Sequence, residues 1–301
     1  LDIIDGSIGG VICDDGSKTY RISASKVVLA IGHSARNTLK VLQSHNVLMA
    51  QKAFAMGVRV EHSQKIINFS QYGLSYTHRD LESANYKMAV TLPSGRSAYT
   101  FCMCPGGVVL PANSTNNSIV TNGMSLYARN ADNSNSALLV NCMPSDFGSD
   151  DVLAGVELQA YWESRCFNAV NRFNEYKAPC QNVVDFIRHK KTAIFDTTPS
   201  YARGVVSICL DEVLPTFIVD TLRSALPLFG NKIDGFDKCG VLTAIESRSS
   251  SPVKIVRDEL SLESNIKGLY PCGEGAGYSG GIVSSAVDGL KVAIAISDKI
   301  K

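Results

Sequence analysis

The sequence predicts an α/β chain with an inserted α+β segment, and three observations indicate this fold class. The apolar run at residues 27–32 is typical of a strand buried on both faces of a parallel sheet, and a helix follows for which we expect Ser34 as the N-cap. A second strand-to-helix unit closes the sequence, because an apolar run stops at Gly273 and apolar residues recur at helical spacing from Ile282. Residues 51–239 differ, since their short alternating runs and turn residues favour a mostly antiparallel sheet with helices.

The last strand and the last helix are separated by a loop, residues 273–281, that contains five glycines. Small residues at a helix N-terminus let backbone N–H groups approach an anion or a polar ring edge, where the helix dipole adds about half a positive charge. Glu274 is placed to accept hydrogen bonds from sugar or ribityl hydroxyls. The loop therefore predicts a flavin or nucleotide contact; the alternative is a loop of left-handed glycines that packs against a sheet.

An antiparallel meander at residues 1–5, 8–13 and 20–23 precedes the strand that ends in Ala30-Ile31-Gly32. This order resembles the middle of the flavin-binding domain in flavoproteins with two dinucleotide folds. In those proteins the Ala-x-Gly turn lies close to the cofactor, and a final strand–Gly–acid–helix unit closes the flavin site. The resemblance implies a partial FAD/NAD(P)-binding domain. It also implies FAD as the cofactor, with contacts from Ala30, Gly32, Gly273, Glu274, Gly275, Gly280, Gly281 and Ile282.

Further motifs extend the resemblance over the whole chain. They lie at residues 32–36, 57–62, 99–107, 121–125, 133–137 and 249–253. Together with the terminal glycine loop they are similar to a family of bacterial FAD-dependent dehydrogenase-like proteins. That resemblance implies an oxidoreductase that passes a hydride or an electron pair between a substrate and the flavin. It identifies neither the substrate nor the catalytic residues.

The phosphate-binding loop expected of such a protein is Gly-x-Gly-x-x-Gly after a first strand, with a ribose-binding acid about 20 residues later. Residues 275–280 match the spacing, but the helix that comes next is not followed by a second strand with a ribose-binding acid. We therefore expect the chain to be the C-terminal part of a longer protein. Its expected partner is the missing N-terminal dinucleotide-binding lobe, and we expect weak or absent FAD binding without that lobe.

This interpretation divides the chain into a remnant of the FAD-binding domain, residues 1–50 and 240–301, and an inserted substrate or cap domain, residues 51–239. In the insert, residues 130–136 are polar enough to predict an exposed loop. The predicted strands are 54–62, 86–92, 98–102, 108–111, 118–122 and 137–143, and the predicted helices are 157–171 and 214–229.

Composition narrows the classes of partner. The net charge of +1 gives no electrostatic basis for nucleic acid or for an anionic membrane surface, so we expect neither as a partner. No apolar run approaches the roughly 20 residues that span a bilayer. Nine scattered cysteines, an odd number, favour reduced thiols over a disulfide framework, and they predict a cytoplasmic protein. The cysteine and histidine spacing predicts no metal site.

Four residues are candidates for a substrate pocket, and each has a structural alternative. His33 could face the cofactor or be bonded to the backbone at a helix start. Cys102 and Cys104 could be a redox pair or structural thiols that line a pocket. Arg248 could bind a carboxylate or phosphate with its planar fork of donors, or fasten the chain beside the glycine loop.

Arg59 and Glu61 are expected on one strand face, with His62 on the other. We expect Arg59 and Glu61 to form an ion pair, with substrate carboxylate recognition by Arg59 as the second interpretation. For the protein as a whole the alternative to an oxidoreductase is a non-catalytic flavin-fold binding protein or a nucleic-acid-associated module. A catalytic set of residues near the flavin would favour the oxidoreductase. A basic surface groove would favour the non-catalytic or nucleic-acid-associated module.

Overall fold

The structure is a computed structural model that describes residues 1–172 and 175–299. It has mixed α and β content. In chain order the strands are β1 (Asp2–Ile4), β2 (Ser7–Asp14), β3 (Thr19–Ser23), β4 (Val27–Leu29), β5 (Met49–Gln51), β6 (Phe54–Ser63), β7 (Ala89–Thr91), β8 (Ser97–Cys104), β9 (Gly107–Pro111), β10 (Thr121–Ser125), β11 (Asn133–Cys142), β12 (Ala178–Asn182), β13 (Val205–Ser207), β14 (Val241–Glu246), β15 (Val253–Ile255) and β16 (Leu269–Pro271). The α-helices are α1 (Arg36–Ser44), α2 (Gln64–Tyr72), α3 (Ala154–Val170), α4 (Val183–Ile187), α5 (Thr216–Gly230) and α6 (Ile282–Asp298).

The chain divides into two compact units. Unit 1 comprises Leu1–Phe54, Cys142–Leu158 and Arg248–Lys301, and unit 2 comprises Ala55–Asn141 and Gln159–Ser247. These bounds differ from the sequence-based ones chiefly at residues 142–158, which the sequence placed in the insert. The assignment of one part to a FAD-domain remnant and the other to a substrate domain stays a prediction.

Unit 1 contains three small sheets. Strands β1, β2 and β3 form an antiparallel meander, β5 and β15 form an antiparallel pair, and β4 and β16 pair in parallel, with Val27 opposite Leu269. The turn between β2 and β3 is held by Asp15, whose Oδ1 accepts hydrogen bonds from the Ser17 and Lys18 N–H groups. Leu39 and Leu42 of α1 pack in a buried cluster with residues of β4, β15 and β16.

Unit 2 is built on a seven-stranded mixed sheet in the order β13-β12-β14-β6-β11-β8-β7. The pairing of β12 with β13 is parallel, and the pairings β12–β14, β14–β6, β11–β8 and β8–β7 are antiparallel. A separate hairpin pairs β9 with β10. Helix α5 buries an apolar face that includes Ile218, Leu222 and Phe229, because these residues recur at helical spacing.

Predictions for the long periodic elements are confirmed. Helices α3 and α5 occupy the predicted 157–171 and 214–229 to within a few residues, and α6 begins at the predicted Ile282. Strands β2, β6, β8, β9 and β11 also overlap their predicted ranges. The predicted strand 118–122 lies three residues early, and of 86–92 only Ala89–Thr91 is a strand.

Several local predictions are wrong. Ala35, not Ser34, is the N-cap of α1, and no side chain bonds to the first turn. Val28 is 48% exposed, so β4 is not covered on both faces. Strand β6 is buried along almost its whole length, so its side chains do not alternate between buried and exposed. The predicted exposed loop 130–136 is wrong at its end, where Ser134, Asn135 and Ser136 are buried in β11.

Candidate functional site

The two glycine turns singled out in the sequence meet in unit 1. The chain leaves β4 and turns at Gly32, whose φ is +68°, and the loop after β16 passes directly over it at Gly275. A Cβ atom at position 275 would overlap the Gly32 carbonyl oxygen and lie 2.8 Å from the Gly32 nitrogen. Only glycine at 275 allows this approach, so the two turns form one backbone junction.

A histidine and a carboxylate lie side by side at this junction. His33 Nδ1 is 3.4 Å from Glu274 Oε1, and both side chains are partly buried. The structure therefore places His33 beside the glycine loop and gives it a side-chain partner, in place of the backbone partner that was its structural alternative.

An ion pair that the sequence did not reveal fixes the base of the glycine loop. Arg257 forms two hydrogen bonds to Asp288 of α6, Nη2 to Oδ1 at 2.6 Å and Nη1 to Oδ2 at 3.0 Å. Nη1 also donates to the Pro271 carbonyl at 2.6 Å, and the Gly273 N–H donates to Asp288 Oδ2 at 2.8 Å. These contacts join the end of β16, the first glycine of the loop and helix α6.

The pKa of Asp288 shows the balance of forces in this ion pair. Burial by itself raises the pKa, but the hydrogen bonds from Arg257 and from the Gly273 N–H, with the Arg257 charge, outweigh it and lower the pKa below the usual value. Asp288 is therefore a carboxylate at neutral pH. The sequence contained a hint, since Asp288 is an acidic residue within a largely apolar helix.

Tyr278 fastens the other side of the loop to β15. Its hydroxyl donates to the Ile255 carbonyl at 3.0 Å and accepts from the Arg257 N–H at 3.2 Å. The Arg257 guanidinium carbon lies 3.7 Å from the centre of the Tyr278 ring, and Lys254 Nζ lies 4.9 Å from it. The loop is thus held at Gly273 and at Tyr278, on either side of Gly275.

Lys52 is a second residue that sequence reasoning missed. It follows β5, and its N–H donates to the Pro252 carbonyl at 2.8 Å. Burial lowers the pKa of the Lys52 ammonium group, and the Lys254 charge adds to this effect, whereas the Glu274 carboxylate opposes it. Lys52, His33 and Glu274 therefore belong to one electrostatic neighbourhood. No motif surrounds Lys52 in the sequence that could have identified it.

The N-terminus of α6 is open. Gly281 is its N-cap, with extended backbone and no side-chain cap, and a Cβ at Gly280 would meet nothing within 4 Å. Within residues 1–172 and 175–299, the N–H groups of Ile282 and Val283 have no hydrogen-bond acceptor. The Ile282 side chain is 92% exposed. A ligand could therefore approach these amides without displacing a side chain.

The predicted FAD contacts come from two segments of unit 1, the end of β4 and the glycine loop before α6, which meet where Gly275 approaches Gly32. Ala30 and Gly32 are exposed at the end of β4, Gly273 and Gly275 are buried in the junction, and Glu274 lies between them. The N–H of Gly273 already has a partner in Asp288, so Gly273 shapes the loop and does not offer this donor to a ligand. The unpartnered amides at α6 and the Glu274 carboxylate fit a group with a polar ring edge and hydroxyls, as in FAD.

The cysteines of unit 2 are less suited to chemistry. Cys102 is exposed at a point where the β8–β11 register shifts, and its φ is +45°. Cys104 Sγ lies 3.3 Å from the Cys102 carbonyl oxygen, and burial raises the pKa of the Cys104 thiol. Because a reactive thiol needs a lowered pKa, these features favour the structural alternative for Cys104.

The predicted Arg59–Glu61 ion pair is wrong. Arg59 is buried and pairs with Glu246, with Nε to Oε2 at 2.5 Å and Nη2 to Oε1 at 3.0 Å. Its other donors reach the Cys102 carbonyl and the side chains of Asn122 and Asn135. All five N–H donors of Arg59 are used, so none remains for a substrate carboxylate.

Glu61 has a different set of partners. Its Oε1 accepts from Ser200 Oγ at 2.5 Å and from Asn133 Nδ2 at 3.2 Å, and burial raises its pKa. Arg248, the remaining candidate, is partly buried in unit 1, and both of its interpretations, an anchor beside the glycine loop and a ligand contact, stay predictions. In the part of the chain that the structure describes, no group of three or more His, Cys, Asp or Glu could hold a metal ion.

Comparison with known proteins defines the class of protein. A family model described as "FAD-dependent protein, C-terminal domain-like" matches residues 53–249, more than half of the chain. The chain belongs to this family of C-terminal domains of FAD-dependent proteins. The match covers all of unit 2 and, in unit 1, residues 53–54, 142–158 and 248–249.

One curated relative is similar along nearly the whole chain. It is an uncharacterized protein of Clostridium beijerinckii, 44% identical over 299 residues, which are 98% of this chain. The chain spans about half the length of that relative, 55%.

Among the described residues, no helix is both long and apolar enough to cross a membrane.

Proposed function

We propose that the full-length protein is an FAD-dependent oxidoreductase and that unit 1 supplies part of its flavin site. The observation that carries this proposal is the Gly32–Gly275 junction. It places the His33–Glu274 pair next to a glycine loop that leads into the open N-terminus of α6. Membership in a family of FAD-dependent proteins supports the choice of cofactor.

In this proposal the residues of unit 1 bind and orient the cofactor. The Glu274 carboxylate accepts hydrogen bonds from ribityl hydroxyls, and the N–H groups of Gly281 and Ile282 stabilise negative charge at the polar edge of the flavin ring. The Arg257–Asp288 ion pair fixes the position of the glycine loop relative to helix α6. FAD supplies the hydride or electron-pair transfer. In this proposal unit 2 is the domain that binds the substrate.

We further propose that polypeptide outside these 301 residues completes the cofactor site. The Gly-x-Gly-x-x-Gly spacing at residues 275–280 lies between β16 and α6, but within these 301 residues no second strand with a ribose-binding acid follows it, and the curated relative is much longer than the matched region. The pyrophosphate of FAD is its most charged part, so its binding loop contributes strongly to affinity. Residues 1–301 alone should then bind FAD weakly or not at all.

The test is the visible absorbance of residues 1–301 beside a longer protein with the N-terminal extension, before and after FAD is added. We expect only the longer protein to bind flavin and turn yellow. In that protein Glu274→Gln should weaken FAD binding by about 10-fold, because a charge-assisted hydrogen bond is lost. Glu157→Gln, an exposed carboxylate elsewhere in unit 1, is the control and should leave binding unchanged. Absence of flavin from both proteins would contradict the proposal and favour a flavin-fold protein without turnover.

A further inference from the structure

A cavity of about 820 Å³ lies within unit 2. Three segments form its walls, namely residues 81–83, 103–105 and 125–130. The proposed flavin site lies in unit 1 and uses none of these residues. The cavity therefore shares no lining residue with the proposed flavin site, and its volume is within the range of small-molecule pockets.

Hydrogen bonds between the wall segments hold this cavity open. Ser83 Oγ donates to the Arg129 carbonyl at 2.7 Å, and Ser125 Oγ donates to the Pro105 carbonyl at 2.6 Å. The Gly106 N–H donates to Gln64 Oε1 at 2.7 Å, and the Gly106 carbonyl accepts from the Ala131 N–H. Each wall is joined to a neighbour, so the cavity is preformed and a ligand need not order it.

Two charges of opposite sign lie together in the wall. Arg129 and Glu82 are the charged members among the residues that line the cavity, and Arg129 Nη1 lies 3.5 Å from Glu82 Oε2. Their side chains are 49% and 85% exposed, so this pair contributes little to stability and can exchange partners readily. The cavity therefore presents a guanidinium and a carboxylate at adjacent positions.

Four of the other lining residues are large and apolar or aromatic. Leu81, Leu126 and Tyr127 are large apolar or aromatic side chains that are exposed at the cavity, and Met103 lies beside them. Exposed apolar side chains clustered at a cavity mark a binding surface. A ligand that fits must combine adjacent opposite charges with an apolar body.

We propose that this cavity binds an α-amino acid, or a compound with the same zwitterionic head, that carries an apolar side chain. The ligand carboxylate pairs with Arg129 in the geometry that a guanidinium favours, and the ligand ammonium group pairs with Glu82. The apolar side chain packs on Leu126, Tyr127 and Met103. The proposal concerns binding within unit 2 and stands whether or not the flavin proposal holds.

The test is isothermal titration calorimetry of the 301-residue protein with L-phenylalanine, L-phenylalaninamide and 3-phenylpropanoate. The amide lacks the carboxylate and 3-phenylpropanoate lacks the ammonium group, so each should bind about 10-fold or more weakly than the amino acid. No binding of L-phenylalanine up to about 10 mM would overturn the proposal. Equal affinity for all three compounds would overturn the zwitterion recognition.

Single variants separate the two halves of the recognition. Glu82→Gln should weaken the binding of L-phenylalanine by about 10-fold and leave the affinity for 3-phenylpropanoate unchanged. Arg129→Asn should weaken the binding of L-phenylalanine by a similar factor and leave the affinity for L-phenylalaninamide unchanged. Asparagine is chosen because it tolerates the φ of +48° at this position. Arg79→Asn, whose side chain is 92% exposed and does not line the cavity, is the control. If both cavity variants bind L-phenylalanine like the parent protein, the assignment is wrong.

Discussion

Asp288 is a buried carboxylate on a largely apolar helix, and its partners account for its position. It accepts from Arg257 twice and from the Gly273 N–H, so its charge is matched inside the structure. The pKa of Asp288 is lower in the folded state than in the unfolded chain. The ionised Asp288 carboxylate therefore stabilises the fold at pH values above its pKa in the unfolded chain, near 3.9. This stabilisation is lost as the pH falls through the folded value. Removal of either partner would leave an uncompensated buried charge.

His62 makes the stability of the protein depend on pH in a predictable direction. It is fully buried, its Nε2 donates to the Phe236 carbonyl at 3.0 Å, and burial lowers its pKa to about 4. The unfolded chain takes up a proton near pH 6.5, whereas the folded chain does so only near pH 4. The free energy of unfolding therefore falls as the pH drops, by about 1.6 kcal/mol between pH 6.5 and pH 5.

Urea denaturation of the parent protein and of His62→Gln at these two pH values measures this effect. The variant is less stable at neutral pH but should lack most of the decline between the two pH values. His78→Gln, an exposed histidine, is the control and should follow the parent curve. An equally steep decline in His62→Gln would show that another group is responsible.

At the scale of elements, the junction between β4 and the glycine loop depends on one missing Cβ. Gly275→Ala would place a methyl group against the backbone of Gly32, which cannot move aside as a flexible side chain would. We expect a loss of about 1–3 kcal/mol in the free energy of unfolding, measured by urea denaturation.

Gly280→Ala provides the matched comparison within the same loop. A Cβ at 280 would meet nothing within 4 Å, so this variant should stay within about 0.5 kcal/mol of the parent protein. Equal stability of the two variants would mean that the close approach at Gly275 does not constrain the fold.

The elements that the sequence predicted well are those with a long local pattern. Seventeen-residue helices α3 and α6 and the fifteen-residue α5 follow from spacing alone, because the repeat is contained in the segment itself. Strands β5, β13 and β15, of three residues each, were missed, and so were the longer strands β12 and β14. Helix α2 was also missed; it follows β6 without a turn signal.

At the scale of the whole molecule, α6 presents an apolar stripe to solvent. Its exposed members are Ile282, Val283, Val287, Leu290 and Ile294. A contiguous apolar stripe of this kind promotes association in water, so we expect the 301-residue chain to self-associate as its concentration rises. The double variant Val287→Lys/Leu290→Lys should remain monomeric, which analytical ultracentrifugation measures directly.

Ser297→Lys adds a charge to the same helix at an exposed polar position and should not change the association. A parent chain that stays monomeric at all concentrations would contradict the prediction. In the longer protein we expect the stripe to be covered by the N-terminal extension, and that protein should not self-associate through it.

The sequence identified the glycine turns of the candidate site and the two side chains next to them, His33 and Glu274. Gly32, Gly273, Gly275 and Gly281 were identified because glycines before a helix have a local meaning. The side chains that surround them, Lys52 and Arg257 among others, were missed because their roles depend on partners elsewhere in the chain. The wrong Arg59–Glu61 pair has the same origin: alternation placed the two on one face but could not show that Glu246 competes for Arg59.

The sequence by itself determined the mixed α/β class, the long helices, the glycine loop and the resemblance to FAD-dependent proteins, because each of these is encoded in neighbouring residues. Only the tertiary structure decided which charges pair, which glycine backbones touch and where a cavity forms. Arg59 and Glu246 are 187 residues apart in sequence, and Arg257 and Asp288 are 31 apart. Burial removes water from each charged group, so the group needs an oppositely charged partner inside the protein. The tertiary structure determines which partner lies close enough.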